Sequence, residues 1–281
     1  MKDVTCRRVA TLALLLVCST AEAQSPSFRA STPDSLVRGM RLDQFASAGL
    51  IHLSGPADKI FPATELIELR REDVPLPEHP RPPFVILTSA ERLPLDPDSA
   101  VEWKENRLHA RPALPLRVES DDLRVPLPYV AALCLDYPAG QELLERRLGR
   151  MLLTPRKLDR VFLNDGDEVQ GHVLSIIGKE CKIETGGRTV TIPVSRLALI
   201  MPRSTRLVPP RTKGVVFRST TRQGARIAFQ NLDYVRDRSV WSGKTSWGAS
   251  FEFPFADLVC IRAGMGKAVY LSDIEPKSFT L

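Results

Sequence analysis

Cysteine and histidine are scarce in this chain, with five and four among 281 residues, and no apolar run approaches the roughly twenty residues that a membrane-spanning helix needs. The histidines, His52, His79, His109 and His172, have no partner at metal-ligand spacing and none lies in an HExxH pattern. Nucleophile elbow, phosphate loop and dinucleotide fingerprint are all missing. Asp121 and Asp122 are adjacent, and neighbours on a strand face opposite ways, so they do not make a catalytic carboxylate pair. The expectation is a non-enzymatic protein with no metal, no cofactor and no integral membrane segment, a hydrolase being only the third reading after an interaction module and a carbohydrate-binding protein.

Lys2, Arg7 and Arg8 precede an apolar run from Val9 to Cys18, and Ala21-Glu22-Ala23 follows. This is the pattern of a secretory signal peptide over 1–23, cleaved after Ala23 to leave Gln24 first. A lipoprotein signal ending at Cys18 would want a small residue where Val17 stands, and Arg7-Arg8 lacks the surroundings of a twin-arginine signal. Export places the mature chain in the periplasm or outside the cell. Removing Lys2, Arg7, Arg8, Asp3 and Glu22 from totals of 39 basic and 33 acidic residues leaves 36 against 31, a mildly basic balance. Cys134, Cys181 and Cys260 remain, an odd and sparse set that makes no disulfide framework even in an oxidising compartment.

Proline, by contrast, is plentiful and periodic. FPATELIEL from Phe61, LPYVAALCL from Leu127, IPVSRLALI from Ile192 and FPFADLVCI from Phe253 share an apolar residue, proline, three variable positions, two apolar positions, one variable position and a closing Leu or Ile. In this frame Pro62, Pro128, Pro193 and Pro254 are equivalent, and Cys134 and Cys260 occupy one position, where the first copy has Glu68. Such a repeat implies stacked copies of one small unit.

The third copy is the clearest. Val169, Val173, Cys181, Ile183, Val190 and Ile192 mark half-buried strands of period two. Gly186-Gly187 is a hairpin signal that sets Ile183 opposite Val190 and Cys181 opposite Ile192, while a three-residue loop at Ile177-Gly178-Lys179 would bring Val173 beside Ile183. Pro193 should end a strand and start a tight turn before Leu197 to Ile200. The acidic stretch LNDGDEVQGHV from Leu163 is expected to be a turn rather than a calcium loop, because Asp165, Asp167 and Glu168 lack the spacing of ligands over about twelve residues. The fold class that follows is mainly β, a tandem of small SH3-like or Sm-like β barrels with one short helix between modules. The expected boundaries are a disordered segment at 24–35, a partial module 1 at 36–72, a proline-rich linker at 73–82, module 2 at 83–138, a linker helix at 139–158, module 3 at 159–203, module 4 at 204–276 and a tail at 277–281.

LNDGDEVQGHV followed by TVTIPVSRLALI, together with VYLSDIEP from Val269, resembles secreted bacterial envelope proteins whose small β-barrel repeats precede an NPCBM carbohydrate-binding module. The resemblance covers Val161 to Pro276 well and the earlier copies loosely. It implies an interaction or structural role in the cell envelope, or a carbohydrate-binding accessory role. The chain stops five residues after Pro276, so the carbohydrate module itself is absent and no ligand carries over from it.

Two stretches suggest binding. From Thr185 to Leu232 there is no acidic residue, and the basic residues there include Arg206, Arg211, Lys213, Arg218, Arg222 and Arg226. Such a run suits an envelope protein or an anionic polysaccharide, or is simply a solvated face; export argues against nucleic acid. Just beyond, Tyr234, Trp241 and Trp247 lie around a Ser-Gly-Lys-Thr-Ser turn, where the tryptophans would either offer a platform to a sugar ring or pack in the core.

Overall fold

The computed structural model describes residues 26–77, 80–113, 115–119, 122–136, 152, 154–204 and 214–264. The protein is mainly β; among the described residues 22 strands are linked through ladders, and the named helices are 3-10 segments of three residues each. No described helix is long and apolar enough to cross a membrane. The expected linker helix falls, over 139–151, outside the described residues, as do Arg206, Arg211, Lys213 and the stretch from Val269.

Four units repeat one plan of five strands, here called a to e. Unit 1 has β1 (Phe28–Ser31), β2 (Leu36–Phe45), β3 (Leu50–Ser54), β4 (Lys59–Pro62) and β5 (Glu68–Arg71). Unit 3 has β13 (Asp159–Leu163), β14 (Glu168–Ile177), β15 (Glu180–Thr185), β16 (Arg188–Pro193) and β17 (Leu197–Met201). Unit 4 has β18 (Val216–Thr221), β19 (Arg226–Val235), β20 (Val240–Thr245), β21 (Ser250–Pro254) and β22 (Leu258–Gly264). In unit 2, β6 (Phe84–Leu87) is a, b is split into β7 (Arg92–Pro94) and β8 (Glu102–Lys104), c is β9 (Arg107–Ala110), d is β11 (Leu123–Pro126) and e is β12 (Val130–Cys134). An extra strand, β10 (Arg117–Val118), precedes d and pairs with β21 of unit 4.

The long b strand explains how each unit curls. In unit 3 the first half of β14 pairs with β13 and the second half with β15, with a register shift between Val173 and Ser175. That shift leaves Leu174 as an unpaired bulge residue, half exposed, and bends the strand. Val173 stands opposite Ile183 as expected, but through a two-residue turn at Gly178-Lys179 corrected by the bulge, instead of a three-residue loop. Ile183 faces Val190 and Cys181 faces Ile192 across the Gly186-Gly187 turn, whose φ angles are +56° and +73°. Val190 is nevertheless exposed, because β16 lies at the edge of its sheet. The acidic cluster is a turn: Gly166 has φ +94°, Asp165 Oδ1 accepts the Asp167 N–H at 3.1 Å, and Arg196 meets Asp165 Oδ2 at 2.6 Å. Gly171 is required for a different reason, since a Cβ there would sit 2.2 Å from the Glu184 carbonyl oxygen.

Strand e returns to pair with a in every unit, giving the order e-a-b-c-d. Among the described residues no ladder joins d to e within a unit, so the sheet is not closed into the expected barrels; a 3-10 helix connects the two strands instead. Proline is the N-cap of that helix each time, at Pro62, Pro126, Pro193 and Pro254. Its ring lacks a ladder donor and ends the d strand. The residue after it donates its N–H to a carbonyl in the b–c turn: Ala63 to Gly49, Leu127 to Asn106, Val194 to Lys179 and Phe255 to Ser239.

These bonds correct the repeat register in unit 2. Its equivalent proline is Pro126, two residues before Pro128, so its nonamer is VPLPYVAAL from Val125. Ala132, not Cys134, matches Cys260. The closing positions become Leu69, Leu133, Ile200 and Ile261, all with 0% exposure. Unit 1 is also complete: β1, inside the segment expected to be disordered, carries the fully buried Phe28 and pairs with both β2 and β5.

Those four closing residues mark how the units associate. Leu69 of β5 pairs with Ile261 of β22, and Leu133 of β12 pairs with Ile200 of β17. Each pair is therefore joined e to e about the same repeat position, and each adds a contact between b strands, Ala46 with Asp233 and Trp103 with Ile176. Unit 1 thus pairs with unit 4, and unit 2 with unit 3, as nested partners. Phe45 of unit 1 packs 5.2 Å from Trp241 of unit 4, and Phe28 5.8 Å from Phe255, so the outer pair shares one aromatic core.

Candidate arginine face

The e-to-e pairing of units 1 and 4 aligns side chains that lie far apart in sequence. Across β1, β5, β22, β18, β19 and β7 one row reads Arg29, Arg70, Cys260, Thr220, Arg226 and Arg92. Two residues along, and so on the same side, a second row reads Ser31, Glu68, Arg262, Arg218 and Ala228. The intervening row, Ala30, Leu69, Ile261, Ser219 and Ile227, is buried toward the core. Six arginines therefore share one sheet face with a single carboxylate in the two rows, and five strand spacings of about 4.8 Å spread them over about 24 Å.

Glu68 takes two of these charges. Arg29 Nη2 reaches its Oε1 at 2.9 Å and Arg262 Nε its Oε2 at 2.8 Å. Burial alone would raise the Glu68 carboxyl, but the two guanidiniums outweigh it and hold it below its ordinary value. Arg218 stands directly opposite Arg262, a like-charged cross-strand pair, and Arg226 lies opposite Arg92 in the other row. Among the described residues Arg218 has no carboxylate at ion-pair distance. Cys260 is almost fully buried on this face and is pushed up to about 12, burial being the chief cause and the Glu68 charge adding to it, so it stays a thiol at neutral pH. Cys181, buried in unit 3, is likewise pushed up to about 11.

The equivalent face of the inner pair has the opposite chemistry. There the row across β6, β12, β17 and β13 reads Phe84, Cys134, Leu199 and Phe162. Phe84, Cys134, Leu199, Ile86, Ala132 and Met201 form a separate buried apolar cluster, against which Phe162 and Leu152 pack. One ladder position holds a covered hydrophobic surface in one pair and a basic surface in the other.

At one end of the arginine face lies a pocket of about 290 Å³ between units 2 and 4. Arg218, Arg226 and Arg262 enter it from unit 4, Glu91 from the turn after β6, and Leu76 and Pro77 from the segment linking units 1 and 2. Glu91 is 3% exposed; its Oε1 accepts the Ala228 N–H at 2.9 Å and Ser89 Oγ donates to its Oε2. Burial raises the Glu91 carboxyl above its ordinary value, against the pull of those donors, of Trp247 and of Arg218. The buried Trp247 Nε1 has no partner meeting hydrogen-bond geometry, yet it is near enough to favour the carboxylate.

Comparison with protein-family models, with curated proteins and with solved structures finds no match to this chain.

Of the residues singled out in the sequence, the structure brings only Arg218 and Arg226 to this face. Arg222 sits instead beside Asp73 and Asp257, whose charges it meets. The tryptophan platform is not formed. Trp241 is 0% exposed within a cluster of Phe45, Tyr234, Phe253 and Phe255, and its partner across the ladder is Tyr234. Ser242 to Thr245 belong to β20, so the turn is displaced to Ser246-Trp247-Gly248, where Trp247 packs edge-on against Phe251 at 5.9 Å. Arg29, Arg70, Arg92 and Arg262 went unnoticed because they lie outside the acid-free run. A signal for two of them existed: the residue after the repeat's closing position is Arg70 in unit 1 and Arg262 in unit 4, but Cys134 and Met201 in units 2 and 3. Among the described residues no three His, Cys, Asp or Glu side chains gather as a metal centre would require.

Proposed function

We propose that this chain is a non-catalytic β-repeat protein of the bacterial cell envelope that holds an anionic polymer on the arginine face of its outer pair of units. The observation that carries this is the contrast between equivalent rows. Where the inner pair places Phe84, Cys134, Leu199 and Phe162, the outer pair places Arg29, Arg70, Cys260 and Thr220. Four arginines and a lone carboxylate along β5, β22, β18 and β1 disfavour the free sheet, and an anion laid across the strands relieves that repulsion. The repetition of one five-strand unit supports a modular binding role, and the signal-peptide pattern before Gln24 supports placing the units outside the cytoplasm. With Trp241 buried, stacking of a neutral sugar has lost its platform, and charge recognition is the favoured mode.

The test is a binding titration of the mature chain with polygalacturonate and with a phosphate-linked glycerol polymer. Affinity should fall steeply between 50 and 500 mM salt, since exposed charges are screened over about 8 Å at physiological ionic strength. Arg70→Gln with Arg218→Gln should weaken binding about tenfold or more. Salt-independent binding, or binding untouched by the double substitution, sinks the proposal.

A further inference from the structure

We infer that the pocket between units 2 and 4 takes the charged end unit of that polymer, a single sugar-sized hydroxylated anion. The inference rests on the reading of the arginine face as an anion-binding surface and adds a place and a ligand size to it. About 290 Å³ lies at the bottom of the range for small-molecule sites, room for one charged monomer rather than for a chain passing through. The Ser89-Ala90-Glu91 turn lines one end of the pocket, and Leu76 and Pro77 line one side.

Its chemistry matches such a unit. Arg218, Arg226 and Arg262 line the pocket from three adjacent strands, so an anion inside it lies among arginine side chains. Arg262 is already shared with Glu68, whereas Arg218 has no carboxylate at ion-pair distance among the described residues, which gives the bound anion a charge to neutralise. Thr220 and Ser89 offer hydroxyls, and Leu76, Pro77 and Ala90 form an apolar wall that fits the carbon face of a sugar ring. Glu91 lines the same space, and its two carboxyl oxygens are already taken up by the Ala228 N–H and the Ser89 hydroxyl.

Calorimetric titration of the mature chain with monomers tests this. Galacturonate and glucose 6-phosphate separate a carboxylate from a phosphate unit, and galactose serves as the uncharged control. One-to-one binding of at least one charged monomer is expected, weakened about tenfold or more by Arg226→Gln and by Thr220→Phe, which fills the pocket. Arg70→Gln, toward the far end of the face, should leave monomer affinity within about twofold while weakening the polymer. Should Thr220→Phe fail to fold, Arg226→Gln carries the comparison. Polymer binding without any monomer binding overturns the end-unit inference and leaves the function standing. So does monomer binding that ignores both pocket substitutions. Absence of both polymer and monomer binding takes the proposed function down as well.

Discussion

Replacing Gly171 by alanine tests the close approach of β14 to β15 in unit 3. The added Cβ would lie 2.2 Å from the Glu184 carbonyl oxygen and 3.0 Å from Ile183 Cγ1. The nearest obstacle is backbone, so no side-chain rotation relieves it, and β14 and β15 must separate by roughly 1 Å to restore van der Waals distance. Overpacking of a core costs about 1–3 kcal/mol, and an immovable obstacle within a hydrogen-bonded ladder puts this case near 3 kcal/mol. With an m-value of about 3 kcal/mol per molar urea, the midpoint should drop by about 1 M. Gly49→Ala is the matched control: its Cβ would meet Ala46 Cβ at an ordinary 3.5 Å, so it should be neutral or stabilise by about 0.4–1 kcal/mol through the unfolded chain. Urea unfolding followed by circular dichroism compares the two, and equal midpoints would refute the close approach at Gly171.

The corrected register predicts that Leu133→Ala, at a fully buried closing position, costs about 2–5 kcal/mol, while Leu135→Ala, only partly buried, costs clearly less; thermal melts showing the reverse would restore the frame based on Pro128. Because burial raises Glu91 above its ordinary 4.5, the native state binds that proton more tightly than the unfolded chain does. The stability linked to it is fully present below pH 4.5 and is lost as pH rises through the raised native value. Glu91→Gln, which keeps an acceptor for the Ala228 N–H, should remove that slope and gain on the parent toward neutral pH; parallel stability curves would contradict the assignment. Trp241→Ala should cost about 3–5 kcal/mol and leave salt-dependent polymer affinity unchanged in the folded fraction, because the indole is core and not surface.

How much of this was legible depended on sequence distance. Within unit 3, alternation and turn residues gave the pairs Ile183 with Val190 and Cys181 with Ile192, because a strand period and a hairpin turn are both local. The proline before each 3-10 helix was equally readable, except where Pro126 and Pro128 competed within one stretch and apolar spacing alone favoured the wrong one. Phe28 was hidden because β1 is four residues long and draws its burial from β5 and from Phe255 of unit 4. The arginine face was hidden for the same reason. Period two tells which side of a strand Arg70 and Arg262 occupy, but not that β5 lies against β22. Trp241 and Trp247 looked like a pair only because a turn was read between them; the ladder carries Ser242 to Thr245 straight on as strand and sends Trp241 to the core.

The nested association also sets an order of assembly. Units 2 and 3 are neighbours along the chain and can close on each other as soon as β17 exists, whereas Glu68 must wait for Arg262, 194 residues later. The chain closes like a pair of brackets, inner pair first, and contacts of such long sequence separation form slowly. A chain emerging amino terminus first therefore carries β5 as an open edge, with Phe28 and Phe45 lacking Phe255 and Trp241, until nearly all of it has followed. Its first unit is the last to be finished, and a nascent chain halted before β22 is an aggregation-prone species.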